Sequence, residues 1–239
     1  RLKDMLMDDV DAEVIYGILG AAPKLADHEA ANEMFRIYND WLADFCRHYP
    51  ERHIGLACLP YGDIEAAREE IFRVAGTGLR GLELSCSLDM APMYDPMWAL
   101  IEETGLPITF HISTGRDPRA SKGNGGAVIN YVSHSLSPTI EPMANLCGSG
   151  VLERFPKLQF ALIECGIGWI PWALEAMDEA YRQHHFWVRP KLQGLPSEYF
   201  KQHGSAAFQE DPVGLALIEE FGLTDNVLWA NDYPHHEGT

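Results

Sequence analysis

The chain has 239 residues, 46% of them hydrophobic, and a formal net charge of -17. That apolar share supports a substantial packed core and argues against disorder. The acidity argues against nucleic-acid or anionic-membrane partners, since both call on clustered Lys and Arg.

Five cysteines are present, Cys46, Cys58, Cys86, Cys147 and Cys165, and no two form a CxxC pair. An odd, scattered set speaks against a disulfide framework or a closed thiolate zinc site, and points to a reducing compartment. No stretch is long and apolar enough to span a membrane. The opening "RLKDMLMDDV" is amphipathic and lacks the apolar core of a signal peptide. A cytoplasmic protein is the expectation.

In chain order, residues 1–9 read as a helix, and "AEVIYGIL" (12–19) as a buried parallel strand. Asp27 is placed to cap a helix whose apolar positions are Met34, Phe35, Tyr38, Trp41, Leu42 and Phe45. "HIGLACL" (53–59) is a strand, and Asp63 caps the helix after it. "LRGLELS" (79–85) is followed by Asp95-Pro96, read as cap and first helical residue, with Gly105 closing that helix. "PITFHIS" (107–113) precedes a long, partly helical region reaching about residue 154. "LQFALIEC" (158–165), "GSAAFQ" (204–209) and "NVLWAND" (226–232) complete the strands. Between them come the helix "WIPWALEAMDEAYRQ" and a second Asp-Pro start at Asp211, closed by Gly222. Trp172, Leu174, Met177 and Trp187 are read as packing residues.

Seven strands alternating with helices imply parallel βα units with right-handed crossovers. The reading is a single domain over residues 1–239: an α/β TIM (β/α)8 barrel of metal-dependent hydrolase type, with the first strand and last helix missing from this chain. Arg1 to Asp9 would be the helix after that strand. A doubly wound sheet is the alternative. Its phosphate fingerprint is absent, because Gly166-Ile167-Gly168 is followed by Pro171 where a third glycine belongs.

Chemistry in such barrels gathers at the C-terminal strand ends. Alternation places Thr109, His111 and Ser113 on one strand face, with His111 near the mouth. Glu164 follows an apolar run, where a carboxylate is costly unless paired or metal-bound. Asp232 ends "VLWAND", and Pro234 turns the chain just beyond it. Glu83 also nears a strand end; an ion pair with Arg80 or a Lys is the simpler account of it. His235 stands at the mouth after Asp232, whereas His184, His185 and His236 read as surface residues. Histidine, glutamate and aspartate at one rim are ligands for a divalent cation.

At "PITFHIS", "ECGIGWIP" and "LWANDYPHHEGT" the sequence resembles the amidohydrolase-related family, the branch that includes aminocarboxymuconate semialdehyde decarboxylase-like enzymes. "YDPMWALIEETGLPITFH" and "SGVLERFPKLQFALIE" resemble it too. The resemblance implies a distorted TIM barrel with a metal at the strand mouths, zinc first, with manganese or magnesium as alternatives. It implies His111 and Asp232 as metal ligands. The family's His-x-His pair is not found in the chain. One departure is that Glu164 stands where decarboxylase-like members usually carry a histidine.

The leading expectation is a metal-dependent hydrolase acting on a small organic substrate. Asp232 would shuttle the proton, Glu164 would orient water or substrate, and Arg116, Trp169 and His235 would line the substrate site. The alternative is a non-oxidative decarboxylase of a carboxylated aromatic or muconate-like acid, with Arg116 on the carboxylate. A metal-free glycosidase using Glu83 and Glu164 leaves His111 and Asp232 without a role. A non-catalytic barrel used for association is a further contrast. The expected partner is a small-molecule substrate, with no nucleic acid and no membrane; a homodimer would make its contacts through 114–156.

Overall fold

The computed structural model describes residues 1–25, 27–60, 62–87, 91–114, 119–184, 191–235 and 238. The first helix, α1 (Leu2–Met7), leads into strand β1 (Glu13–Ile15). There follow α2 (His28–Arg47), β2 (His53–Cys58), α3 (Ile64–Val74), β3 (Gly81–Leu84), α4 (Asp95–Thr104) and β4 (Ile108–His111). The long connection carries α5 (Gly126–Ile129), α6 (Ile140–Gly148) and α7 (Val151–Arg154). The chain ends with β5 (Phe160–Ile163), α8 (Ile170–Gln183), α9 (Pro196–His203), β6 (Gly204–Phe208), α10 (Pro212–Ile218) and β7 (Val227–Trp229).

The strands form one parallel sheet in sequential order, β1 to β7, as expected for a run of barrel βα units. Each expected strand is present, though shorter than its apolar run. β1 keeps three residues of the eight-residue stretch 12–19. The sheet is curled, its architecture that of a TIM-type barrel.

Caps at Asp27, Asp63 and Asp211 follow the sequence reading: each carboxylate accepts backbone N–H groups of its helix's first turn. Gly105 closes α4 in the left-handed conformation at φ 67°. Asp95 departs from expectation. It is the first residue of α4 rather than its cap, and its carboxylate binds Arg154 on α7 through two bonds of 2.8 and 2.9 Å. A bidentate guanidinium offers a carboxylate more than one backbone N–H does.

The core lies between sheet and helices, around Trp98, Phe110, Met143, Leu162 and Phe200. Asn39 on α2 anchors that helix to β2, giving 3.0 Å to the Cys58 carbonyl and accepting the Cys58 N–H at 2.9 Å. Two packing expectations are corrected. Trp41 and Trp172 are mostly exposed, because each lies on the solvent side of its helix. The last strand is also not buried: Leu228 and Trp229 face solvent, since β7 is an edge strand pairing only with β6 among the described residues. No helix of the described residues is long and apolar enough to cross a membrane.

Candidate metal centre at the strand mouths

Register builds the site. β4 pairs with β5 so that His111 stands opposite Ile163, which makes Glu164 the next residue beyond the sheet. Ser113, Glu164 and Asp232 follow the ends of β4, β5 and β7, and all three have left-handed backbones, with φ of 65°, 59° and 55°. Non-glycine residues are rarely held this way, and such conformations gather where side chains are aimed for a purpose.

His111 is half-buried, and its Nδ1 lies 2.9 Å from the Ile112 carbonyl. Only an N–H can make that contact, so Nδ1 carries a proton and Nε2 faces the rim. Nε2 lies 2.9 Å from Glu164 Oε2, yet Oε2 has no hydrogen-bond partner. With Nδ1 committed, Nε2 can meet this oxygen in two ways: as the N–H of an imidazolium, or as a lone pair beside a bound cation that both groups ligate. Burial pushes the His111 pKa down, but the Glu164 contact, the Ile112 carbonyl and Glu83 outweigh it, and the net shift is upward.

Asp232 contributes a second buried oxygen without a partner, Oδ2, while its Oδ1 lies 2.9 Å from His235 Nδ1. Among the described residues, Glu164, Asp232 and His235 bring one ligand atom each within 4.8 Å of one another. Glu164 is thus the shared member of the site, 2.9 Å from His111 on one side and within 4.8 Å of the Asp232–His235 pair on the other. Two orphaned buried carboxylate oxygens and a rim-facing imidazole nitrogen suit a divalent cation.

The other expected site residues fall elsewhere. The half-buried Trp169 spends its indole N–H on the Cys165 carbonyl at 2.8 Å and packs against the core. Arg116, along with His185, Trp187 and His236, lies outside the described residues. His184 is exposed, as a surface residue should be.

Glu83 is corrected. It is 2% exposed, and its Oε2 accepts the Gly17 N–H at 2.9 Å and meets the Cys58 thiol at 3.6 Å, rather than Arg80 or a Lys. Arg80 lies before β3 begins and cannot share the rim with a residue near its end. Burial pushes the Glu83 carboxyl pKa up. Two residues went unnoticed in the sequence. Tyr16, one past β1, packs its ring 5.4 Å from the His111 imidazole. Asp211 was read only as a helix cap. An aromatic residue before Gly17 at a strand end was the available signal for Tyr16.

With this geometry in place, comparison with known proteins is informative. The amidohydrolase family model matches residues 3–239. The γ-resorcylate decarboxylase of Rhodococcus jostii is 26% identical over 260 residues, covering 98% of this chain and 76% of the relative. The crystal structure of 5-carboxyvanillate decarboxylase from Sphingomonas paucimobilis superposes with a TM-score of 0.76 at 29% identity, over 98% of this chain and 72% of that one. A dihydroxybenzoic acid decarboxylase from Polaromonas sp., with bound manganese and the inhibitor 2-nitroresorcinol, gives a TM-score of 0.74 at 23% identity. It covers 98% of this chain and 74% of that one.

Proposed function

Because the chain belongs to the amidohydrolase family, we propose that it is a metal-dependent enzyme removing carbon dioxide from a carboxylated aromatic acid without an oxidant. This reverses the order set by sequence, in which hydrolysis came first. The similar proteins of known activity described above are decarboxylases of aromatic acids. The observation that carries the reading is the meeting of His111, Glu164 and Asp232 at one rim, with buried carboxylate oxygens lacking partners.

His111 and Asp232 would hold the divalent cation, with Glu164 and His235 within reach. Manganese accompanies a relative, and zinc was the first expectation. When bound, the cation would supply positive charge that draws the substrate's oxygens to the strand mouths. The chemistry asked of the protein is then a proton transfer. The bond between ring carbon and carboxylate carbon breaks, carbon dioxide leaves, and the electron pair stays on the ring carbon, which takes up one proton. Asp232 would relay that proton from solvent to the ring carbon, through whichever carboxylate oxygen does not hold the cation. Glu164, beside His111, fixes the orientation of the acid, and the Tyr16 ring walls the site next to the imidazole. Arg116 is the candidate anchor for a second anionic group.

The test is direct. Manganese-loaded protein is incubated with γ-resorcylate, 5-carboxyvanillate and related hydroxy acids, and carbon dioxide release is followed. Turnover that a chelator abolishes, manganese restores and Asp232→Asn eliminates is the expected result. Cleavage of aryl esters or lactones with no carbon dioxide from any acid would return the hydrolase reading to first place.

A further inference from the structure

Asp211 lies between β6 and α10 on the same rim as Glu164. Its Oδ1 accepts the Gly214 N–H at 2.8 Å, the cap that its Asp-Pro setting announces. Its Oδ2 does something a cap does not require. It accepts the Ile167 N–H at 2.6 Å and the Gly168 N–H at 2.7 Å, from a turn more than forty residues away in sequence. Among the described residues, the caps Asp27 and Asp63 reach only N–H groups of their own helices.

The recipient is the turn that begins at Glu164. Three glycines let the carboxylate reach it. A Cβ on Gly166 would sit 3.1 Å from Asp211 Oδ2, and one on Gly168 would sit 3.0 Å from Oδ1. A Cβ on Gly214 would sit 2.3 Å from the Ile167 side chain. Charge-assisted bonds from two successive amides hold this turn rigidly, and a left-handed non-glycine residue at its start needs such holding.

We propose that Asp211 is a positioning residue for Glu164, fixing through the turn 165–168 the direction in which Glu164 meets His111 and the Asp232–His235 pair. The proposal rests on the decarboxylase reading for its kinetic consequence only; its structural content stands apart from that reading.

Asp211→Asn separates this role from capping. Asparagine caps a helix about as well as aspartate, but it has one acceptor oxygen, and its NH2 would confront two N–H donors. In the manganese-loaded enzyme, kcat for the best aromatic acid should fall about tenfold or more with KM little changed, since small misplacements near reacting groups are costly. In the Glu164→Gln background the same substitution should change kcat by less than about twofold, because the effect runs through Glu164. In metal-free protein the Ile167 and Gly168 amides should exchange with solvent at least about tenfold faster, while Ala66, over the Asp63 cap, is unaffected. Costs that multiply in the double variant, or unchanged exchange at Ile167 and Gly168, would overturn the proposal. If wild type turns over no acid, the decarboxylase reading fails by itself. Amide exchange then still decides, together with manganese affinity, which Asp211→Asn should lower in the wild-type background but not in the Glu164→Gln background. Should Asp211→Asn fail to fold, Gly168→Ala presses on the same contact from the other side and must give the same signature.

Discussion

Glu83 and Glu164 look alike in the sequence: each follows apolar residues at the C-terminal end of a strand. In the structure they live differently. Glu83 is still inside β3, aligned with Cys58 on β2 and Thr109 on β4, and is sealed by the Gly17 N–H and the Cys58 thiol. Glu164 stands one residue past β5 with φ at 59°, beside His111 and with Oε2 lacking a hydrogen-bond partner. Within the sheet a carboxylate must be satisfied by its immediate neighbours. One residue beyond the sheet, the backbone is released from the ladder and can aim the same group at chemistry. Position relative to the last ladder bond separates a carboxylate satisfied within the sheet from one left open at the rim.

The largest expected effect breaks this comparison from the Glu164 side. Glu164→Gln keeps shape and removes charge. It should lower kcat for the aromatic acid by about a hundredfold, or about 2.7 kcal/mol of barrier, and weaken manganese binding measured by calorimetry. Glu83→Gln should lower kcat by less than about tenfold, since Glu83 reaches the site only through its charge on His111. Equal losses in the two variants would dissolve the distinction.

The seal over Glu83 is tested next through Gly17. A Cβ there would lie 2.2 Å from Cys58 Sγ and 3.2 Å from Glu83 Oε2. Gly17→Ala should therefore cost about 1–3 kcal/mol in urea unfolding, the range for overpacking. A neutral result would mean the loop after β1 is not clamped against β2 and β3.

A subtler effect concerns pH. Burial raises the Glu83 pKa, so the folded state holds this proton more tightly than the unfolded chain does. The stability it contributes is fully present below the ordinary carboxylate pKa of about 4.3 and is lost as pH rises through the raised folded value. Glutamine cannot ionise. The Tm of metal-free Glu83→Gln relative to wild type should therefore climb as pH is raised, and a constant offset would contradict the raised pKa. Smaller again, Cys58→Ala removes the thiol donor and should cost about 1 kcal/mol of stability with activity retained.

Much of the architecture was readable before any coordinates. Unbroken apolar runs such as "PITFHIS" and "LQFALIEC", with Asp and Gly at helix ends, announce buried parallel strands and bounded helices. The strand runs recur seven times, which suffices for the sheet order. His111, Glu164 and Asp232 stand out in the sequence because a charged or titratable group ending an apolar run has few reasons to be there, and the structure brings them to one rim. The contacts of Tyr16 with His111 and of Asp211 with the turn 165–168 were not legible. Each joins residues far apart in sequence, and no local pattern records that Asp211 Oδ2 has Ile167 and Gly168 above it. Asp95 and Trp172 were misjudged for the same reason: Arg154 and the solvent claim them from outside their own helices.

The sequence by itself determined the alternation of strands and helices and the chemical types at the rim, because hydrophobic period and capping are local properties of the chain. The tertiary structure alone decided which rim residues meet. The β4–β5 register sets Glu164 beside His111, and left-handed turns after β5 and β7 swing Glu164 and Asp232 toward one another. Register and turn direction arise from pairing between distant segments, and that pairing converts three separate polar residues into one candidate metal centre.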